Sequence, residues 1–539
     1  MAADRVLARR ILEAVAAAGV DTVFGLPGVH NLAFWREHGP DLPRIVGVRH
    51  EQTAVYAADG QARASGGLGV ALTTTGPGAA NALAAFGEAA ASASPVLLVA
   101  TEISTRLRRP GVLRGVLHES ADQAGLFAPL AKAVYRPRTP ANVVEQLAAA
   151  IQTALTSPRG PVYVDVPTDL LSHSAPAGAL QPTTTVVPDP EDIDRLRGEL
   201  DAAPRIVIWA GGGVVQADAS VELARLAELL RAPVVTSWAG RGVLPPEHPW
   251  LVGAPPHEPA VADLVAGADL LLAVGTGFDA TTTRNWTMPM PARLACVNVD
   301  ADEMTKNYSP DVAVVGDAKL VLAALAEQVA RPSGTNPVAG LRAAVRARLA
   351  DDPAGPEPLQ LLRSIGAAIA GADITVIADM AIPGYWWVAY GAVAGPRRLQ
   401  YPLGWGTLGY ALPAAVGAAT VRPALVLCGD GGLLMGVGEL ATLAQEELPV
   451  TVLVVDDGGY GMLRYDQNRL GDPHRGVDLR SPDWSQLGAA FGLPTEIVDG
   501  VGAPLEQALR RALGSGGPRL VAVAARFVPP RTTSPRWND

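Results

Sequence analysis

Two acidic, glycine-rich segments in the last third of the chain could bind a phosphate and a metal ion. The first reads Gly-Asp-Gly-Gly at residues 429–432, directly after the apolar run Leu425–Cys428. The second reads Asp-Asp-Gly-Gly at residues 456–459, directly after the apolar run Val450–Val455. Glycines at a strand-to-helix turn let backbone N–H groups approach a phosphate, and the helix N-terminus favours its negative charge. Oxygen donors at the ends of neighbouring parallel strands suit Mg²⁺ bound to a diphosphate.

A third group with chemical potential lies near the N-terminus. Glu51 stands in the segment Arg49–Gln52, ahead of a helical pattern that includes Tyr56–Gly60. His30 is the one side chain of its loop that could act as an acid, a base or a substrate contact near neutral pH. Taken alone, Glu51 suits a helix cap and His30 suits a hydrogen-bonding loop residue, so catalysis stays one of two interpretations for each.

Taken together, these segments resemble the thiamine diphosphate (ThDP) enzymes, and most of all the acetolactate synthase-like branch. The diphosphate motif of that family has this spacing but usually ends in Asn-Asn, whereas this chain has Asp456 and Asp457. Further similar segments are the loop Gly25–His30, the stretch Thr73–Asn81 and the segment Gly404–Pro413. Residues 114–123 also resemble guanidino-oxo-acid decarboxylase relatives.

The resemblance implies a role for particular residues. Glu51 would share a proton with the pyrimidine ring, with His30 as a second candidate catalytic residue. Asp430, Asp457 and the Gly459 carbonyl would hold Mg²⁺, where the extra carboxylate of Asp457 needs a proton or a cation to offset its charge. The cofactor contacts implied in this way are Gly28, Glu51, Thr74, Asn81, Gly406, Leu408, Gly429, Asp430, Gly431, Gly432, Asp457, Gly459, Tyr460, Gly461 and Met462.

Short apolar runs alternate with helical patterns along the whole chain, which indicates parallel sheets buried on both faces. We therefore predict an α/β protein with three doubly wound parallel-sheet domains: pyrimidine-binding, central Rossmann-like and diphosphate-binding. Pro-, Ser- and Gly-rich stretches suggest the boundaries 1–172, 191–330 and 358–528. From Pro529 onward the chain has no apolar period, and we predict a loosely held tail there.

Composition excludes several classes of protein. Of the 539 residues 49% are hydrophobic, and the 43 Lys and Arg against 53 Asp and Glu leave a net charge of −10, which argues against a nucleic-acid surface. The two cysteines are too few for a disulfide framework and favour a reducing compartment. Without a membrane-spanning run or a signal-peptide pattern, we expect a cytoplasmic protein with no membrane partner.

The central segment is less informative. Gly211, Gly212 and Gly213 follow an apolar run but lack a complete dinucleotide-binding pattern. A central domain of this family binds FAD in some members, and we favour a domain without FAD here. A nicotinamide dehydrogenase would leave both terminal motifs unexplained, and a catalytically silent relative would be expected to lose Glu51 or Asp430.

The resemblance implies a ThDP- and Mg²⁺-dependent decarboxylase or carboligase for a small 2-oxo acid, acting through an enamine of the cofactor. True acetolactate synthesis and flavin-dependent oxidation of a 2-oxo acid remain the alternatives. Against the synthase stand Asp466, in the segment where that enzyme has a tryptophan, and Gly277, in the position of its arginine. Glu102 or Asp466 could form an acidic pocket for a cationic substrate. The family also implies a homodimer or homotetramer with sites between subunits.

Overall fold

The computed structural model describes residues 5–109, 111–327, 335–534 and 536. Its first part is a parallel sheet with the strand order β3-β2-β4-β5-β7-β6, and β1 and β8 form a small antiparallel pair beside it. The strands are β1 (Arg5–Val6), β2 (Thr22–Gly25), β3 (Arg44–Gly47), β4 (Gly69–Thr73), β5 (Val96–Glu102), β6 (Ala133–Tyr135), β7 (Val162–Pro167) and β8 (Ser174–Ala175). The helices are α1 (Leu7–Ala17), α2 (Leu32–Arg36), α3 (Glu51–Ser65), α4 (Pro77–Asn81), α5 (Leu83–Ala91) and α6 (Pro140–Leu155).

The central part is a parallel sheet of five strands in the order β10-β9-β11-β12-β13. Its strands are β9 (Ile206–Ala210), β10 (Val234–Thr236), β11 (Leu270–Val274), β12 (Leu294–Asn298) and β13 (Val312–Val315). Its helices are α7 (Pro190–Ala202), α8 (Gly212–Gln216), α9 (Ser220–Leu230), α10 (Pro259–Ala266), α11 (Ala301–Thr305) and α12 (Ala318–Ala326), and α13 (Val338–Ala350) follows the sheet.

The last part is a parallel sheet with the order β15-β14-β16-β17-β19-β18. Its strands are β14 (Thr375–Ala378), β15 (Leu399–Gln400), β16 (Ala424–Gly429), β17 (Val450–Asp456), β18 (Thr495–Val498) and β19 (Arg519–Ala524). Its helices are α14 (Glu357–Ile369), α15 (Ile382–Tyr390), α16 (Ala411–Ala418), α17 (Asp430–Met435), α18 (Glu439–Gln445), α19 (Gly461–Leu470), α20 (Trp484–Ala490) and α21 (Ala503–Leu513).

Helices α3 and α16 join the first and last parts through one shared core. Glycines allow the two backbones to approach closely. A Cβ atom at Gly60 would lie 2.1 Å from the Ala414 carbonyl oxygen, and one at Gly417 would lie 1.7 Å from the Ala57 carbonyl oxygen. This contact fixes the orientation of the two helices, which both begin at elements of the candidate site.

The predicted fold class of three parallel-sheet α/β domains is confirmed. The domain boundaries stay a prediction, and residues 328–334 near the second boundary lie outside the described residues. The prediction of a loosely held tail is wrong for its described part, because the Thr532 carbonyl accepts a hydrogen bond from His257 at 2.8 Å and Arg536 is buried against Asp352. Polar anchoring of this kind leaves no apolar period in the sequence.

Candidate active site

The Gly-Asp-Gly-Gly turn joins β16 to α17 at the carboxyl edge of the last sheet. Asp430 is fully buried, and its Oδ1 atom has no hydrogen-bond partner among the described residues. A Cβ atom at Gly431 would lie 2.6 Å from the Tyr460 ring, and one at Gly432 would lie 2.7 Å from an Asp379 carboxylate oxygen. The glycines therefore bring the turn close to its neighbours, while a bare carboxylate oxygen stays available for a cation.

The two consecutive aspartates at the end of β17 have different environments. Asp456 is used by the fold, since it accepts hydrogen bonds from Ser481 at 2.7 Å, from the Trp484 indole at 2.7 Å and from the Gly458 amide at 2.9 Å. Asp457 lines the neighbouring cavity instead. Of the pair, Asp457 is therefore the one placed to bind a ligand.

Two guanidinium groups offset the charge that Asp457 adds to the site. Arg464 donates to the Asp457 carbonyl at 3.1 Å and approaches its carboxylate at 3.4 Å, and Arg526 donates to the same carbonyl at 3.0 Å. The pKa of Asp457 is raised to about 6, chiefly by burial; Arg464 and Arg526 oppose the rise, and the charge of Asp430 adds to it. A nearby cation, which the Asp-Asp sequence requires, is therefore present.

A cavity of about 130 Å³ lies beside these groups. Met380, Ile382 and Tyr385 line it from α15 and the preceding loop, and Leu408 lines it with 38% of its surface exposed. The predicted cofactor contacts that line the cavity are Leu408, Gly429, Asp430, Gly431, Gly432, Asp457, Gly459, Tyr460, Gly461 and Met462. Gly406 lies two residues before Leu408 with a φ of +72° and is not among the lining residues.

The predicted residues of the N-terminal part form a second cluster. Glu51 is the first residue of α3 and is 8% exposed, and its carboxylate accepts a hydrogen bond from Asn81 at 3.0 Å. A Cβ atom at Gly78 would lie 3.2 Å from the Glu51 carboxylate and 2.6 Å from the Thr74 side chain, and one at Gly28 would lie 2.8 Å from Thr74. The fold thus gathers Gly28, Glu51, Thr74 and Asn81 from three separate stretches of sequence.

Two histidines lie beside this cluster. The rings of His30 and His118 meet edge to face, with centroids 5.2 Å apart. Burial lowers the pKa of His30, the neighbouring His118 lowers it further, and Glu102 opposes the shift. The buried Nδ1 atom of His30 has no hydrogen-bond partner among the described residues. His118 was missed as a site residue, although it belongs to the segment similar to guanidino-oxo-acid decarboxylases.

The two acidic candidates for a cationic pocket differ in their availability. Glu102 is 2% exposed, and its carboxylate accepts hydrogen bonds from Arg108 at 3.1 Å and from the Ile103 amide at 2.8 Å. Asp466 lies on α19, and its buried Oδ1 atom has no hydrogen-bond partner in the described part of the chain. Burial raises the pKa of Asp466, as expected for a carboxylate short of polar contacts. Asp466 is therefore the available group of the two.

We call the cavity of about 130 Å³ beside Asp430 and Asp457 the diphosphate-side cavity, and the N-terminal cluster does not line it. The diphosphate-side cavity is lined by residues 380–527 only, and Glu51, Asn81 and His30 are not among them. The family resemblance places the complete site between two subunits, and the separation is consistent with that arrangement.

The residues present fit ThDP and a divalent cation. Asp430 and Asp457 supply carboxylate oxygens, and Gly459 adds a backbone carbonyl in the same cavity. No group of three or more His, Cys, Asp and Glu side chains suited to a metal occurs within the described ranges, so a cation here would also need backbone and diphosphate oxygens. Such mixed oxygen coordination is typical of Mg²⁺ bound with a phosphate ligand.

Close packing explains the central glycines without a ligand. A Cβ atom at Gly211 would lie 2.1 Å from the Gly275 carbonyl oxygen, and one at Gly213 would lie 2.7 Å from the Gly275 Cα atom. The turn after β9 therefore needs glycine to pass the end of β11. The preference for a central domain without FAD stays a prediction.

Comparisons with known proteins match the three parts of the chain separately. Three family models match: the N-terminal TPP (thiamine pyrophosphate, another name for ThDP) binding domain of thiamine pyrophosphate enzymes over residues 5–126, their central domain over 193–325 and their C-terminal TPP binding domain over 380–523. A probable 2-ketoarginine decarboxylase of Pseudomonas aeruginosa is 36% identical over 521 residues, which covers 93% of this chain and 91% of the relative. A probable acetolactate synthase large subunit of Methanocaldococcus jannaschii is 31% identical over 97% of this chain and 93% of the relative. An acetolactate synthase of Mycobacterium avium is 32% identical over 90% of this chain and 82% of the relative.

In the parts of the chain that the structure describes, no helix has the length and apolar character needed to cross a membrane.

Proposed function

The chain belongs to the thiamine pyrophosphate enzyme family, and from this premise we propose that it removes CO₂ from a cationic 2-oxo acid with ThDP and Mg²⁺. Its relatives include decarboxylases and acetolactate synthases, so the chain is an enzyme of the decarboxylase or acetolactate synthase-like class. The observation that carries the proposed substrate is the Asp466 Oδ1 atom, which has no hydrogen-bond partner among the described residues and lies on α19, the helix whose first turn lines the diphosphate-side cavity.

In this proposal Asp430, Asp457 and the Gly459 carbonyl hold Mg²⁺. The bare Oδ1 atom of Asp430 and the cavity-lining carboxylate of Asp457 support the assignment. Arg464 and Arg526 keep the additional negative charge from repelling a diphosphate. Leu408, which lines the same cavity, would contact the bound cofactor.

The bound cofactor supplies the electron sink for loss of the carboxylate. Glu51 holds or gives up a proton at its carboxylate, and the Asn81 amide orients that group through its hydrogen bond of 3.0 Å. His30 is the candidate acid or base toward the substrate, since burial lowers the pKa of its imidazole and its Nδ1 atom is free of protein partners among the described residues. His118 adds a second imidazole at the same place.

The acting unit is proposed to be a homodimer or homotetramer. Glu51 lies outside the diphosphate-side cavity of its own chain, so a second copy would bring the two half-sites together. Exposed apolar side chains near both half-sites support an interface: Leu113 and Leu117 are each 63% exposed, and Trp405 is 51% exposed.

Asp466 supports a cationic substrate through its position on α19. Met462 and Leu463 line the cavity, and Asp466 lies four and three residues further along the same helix, so the three side chains share a face. The charge of Asp466 also acts on Tyr385, which lines the cavity from α15 and whose pKa is raised to about 12 chiefly by burial. A guanidinium or ammonium group would give the carboxylate oxygen Oδ1 the partner that it lacks among the described residues.

The test compares 2-oxo-5-guanidinopentanoate with pyruvate in the presence of Mg²⁺ and ThDP, with CO₂ release and product identity as readouts. We expect kcat/KM to favour the guanidino acid, and Asp466→Asn to lower that preference by about tenfold or more, because it removes a charge-assisted contact. The variant should leave turnover of pyruvate and affinity for ThDP unchanged. Equal efficiency for both acids would overturn the substrate proposal, and acetolactate from pyruvate would favour the synthase alternative. A colourless protein is expected if the central domain holds no flavin.

A further inference from the structure

A second cavity lies at the C-terminal end of α15, opposite the end at the candidate active site, where the central part meets the last part of the chain. Its volume is about 260 Å³. The N-terminal end of α15 lines the diphosphate-side cavity through Ile382, whereas its C-terminal residue Tyr390 lines this second one. The remaining walls come from α13 and from the loops after β10, around Arg241 and Gly253.

The charge of this cavity is one-sided. Three arginines line it, Arg241, Arg342 and Arg346, and its lining contains no acidic side chain. None of the three forms a salt bridge within the described residues, although the exposed Glu247 lies near enough to act on the charge of Arg342. We call this cavity, which Arg241, Arg342 and Arg346 line, the arginine cavity.

Of the three arginines, Arg241 is the one whose burial costs the most free energy. It is 8% exposed, and its guanidinium donates only to backbone carbonyls, those of Gly253 and Ala389 at 3.3 Å and that of Gly391. Its buried Nε atom has no hydrogen-bond partner in the described part of the chain. Burial without a carboxylate lowers the pKa of Arg241 to about 10. Buried cations are normally paired, so this group is missing an anion.

Arg342 and Arg346 add two more positive charges from one face of α13. They lie four residues apart on the helix, where like charges repel and destabilise it. Arg342 donates to the carbonyls of Leu251 at 2.9 Å and Pro246 at 3.0 Å, while Arg346 is exposed and makes no hydrogen bond among the described residues. Hydrogen bonds to backbone carbonyls explain in part why Arg342 lies at this cavity, but they do not explain why Arg346 lies there.

From this geometry we propose that the arginine cavity is a binding site for a small oxyanion, a metabolite that carries carboxylate or phosphate groups. Guanidinium groups bind both kinds of oxyanion through paired N–H donors, and the partly enclosed joint reduces competition from water. The anion would give Arg241 its missing charge partner and relieve the repulsion between Arg342 and Arg346. The site is distinct from the diphosphate cavity, whose lining shares no residue with it.

The experiment titrates the holoenzyme, saturated with Mg²⁺ and ThDP, with inorganic phosphate and separately with succinate, at ionic strength held constant with chloride. Calorimetry and the melting temperature report binding. We expect saturable binding of at least one probe, and the two arms distinguish phosphate from carboxylate recognition. Absence of saturable binding for both probes would overturn the proposal.

Two matched variants locate the binding. Arg346→Gln should raise the Kd of the bound probe by about fivefold, the size expected for loss of a solvent-exposed ion pair. Arg363→Gln is the control, because Arg363 is an exposed arginine on the neighbouring α14 without a hydrogen bond or salt bridge in the described residues. Equal weakening in both variants, or none in Arg346→Gln, would overturn the proposal. So would a lower anion-free melting temperature in Arg346→Gln, since that would indicate a structural contact instead.

Discussion

The first and last parts of the chain share one topology but use it for different chemistry. In both sheets the strands, numbered within each part, follow the order 2-1-3-4-6-5. The helix after the second strand is α3 in the first part and α16 in the last, and these equivalent helices pack against each other through Gly60 and Gly417. The shared frame therefore places corresponding turns in corresponding positions.

The difference lies in the residues that those turns carry. After the third strand, the first part has Thr74 and Asn81 near Glu51, whereas the last part has the Gly-Asp-Gly turn with Asp430. At the end of the fourth strand, Glu102 is neutralised by Arg108, while Asp457 lines a cavity beside Arg464. One topology therefore presents different groups at the same sheet edge, because the sheet fixes the positions of the turns and the turns supply the side chains.

The largest expected effect concerns Glu51, the proposed catalytic residue in the first part of the chain. Glu51→Gln should lower kcat by about 10²–10⁴-fold, the usual contribution of a positioned proton-transfer group. The affinity for ThDP and the melting temperature should change little, because Gln keeps the shape and the contact with Asn81. Steady-state kinetics with calorimetry would check this, and unchanged turnover would remove Glu51 from the catalytic role.

A smaller change is expected at Asp457, the proposed metal ligand in the last part of the chain. Asp457→Ala should weaken ThDP binding by at least about tenfold at saturating Mg²⁺, because it removes a proposed metal ligand. Asp457→Asn should keep or tighten the binding, since it retains an oxygen donor and removes a negative charge beside the diphosphate. Calorimetric titration of both variants decides the point, and wild-type affinity in the Ala variant would contradict the ligand assignment.

The reciprocal packing of α3 and α16 predicts matched losses of stability. Gly60→Ala and Gly417→Ala should each destabilise the protein by about 3 kcal/mol, since a Cβ would overlap a carbonyl of the opposite helix. Gly366→Ala on α14 is the control, because a Cβ there meets nothing within 4 Å, and it should stabilise the protein by up to about 1 kcal/mol. Thermal unfolding of the three variants measures these changes in stability. A large difference between Gly60→Ala and Gly417→Ala would contradict the prediction of matched losses.

The smallest expected effect concerns pH and one buried carboxyl in each half. Burial raises the pKa of Asp165 to about 7, with Glu102 adding to the rise, and burial raises the pKa of Asp379 to about 6. At these two carboxyls the folded state holds more protons than the unfolded state between about pH 4 and the raised pKa values, so their contribution to stability falls as pH rises through this window. We expect Asp165→Asn to flatten the fall in melting temperature between pH 5 and pH 8, and Asp379→Asn to flatten it less. Equal slopes in wild type and Asp165→Asn would contradict this.

Much of the fold could be predicted because its signals are local. Continuous apolar runs such as Leu425–Cys428 and Val450–Val455 mark strands buried on both faces, and they lie inside β16 and β17. The edge strands β15 and β18 have no such continuous apolar run, since an edge strand is short and needs no apolar face on both sides. Buried polar contacts, such as that of Arg536 with Asp352, leave no periodic signal at all.

The sequence by itself determined the fold class, the enzyme family and the segments of the candidate site, because buried apolar strands and the glycines and acidic residues at their ends are local features. Only the tertiary structure decided which of these groups are available. Glu102 is paired with Arg108 and Asp456 accepts a hydrogen bond from Trp484, whereas Asp430 and Asp466 each keep an Oδ1 atom with no hydrogen-bond partner in the described part of the chain. The partners come from distant parts of the chain or from the other side of a turn. Availability is therefore a property of the folded surroundings, and no residue type or spacing records it.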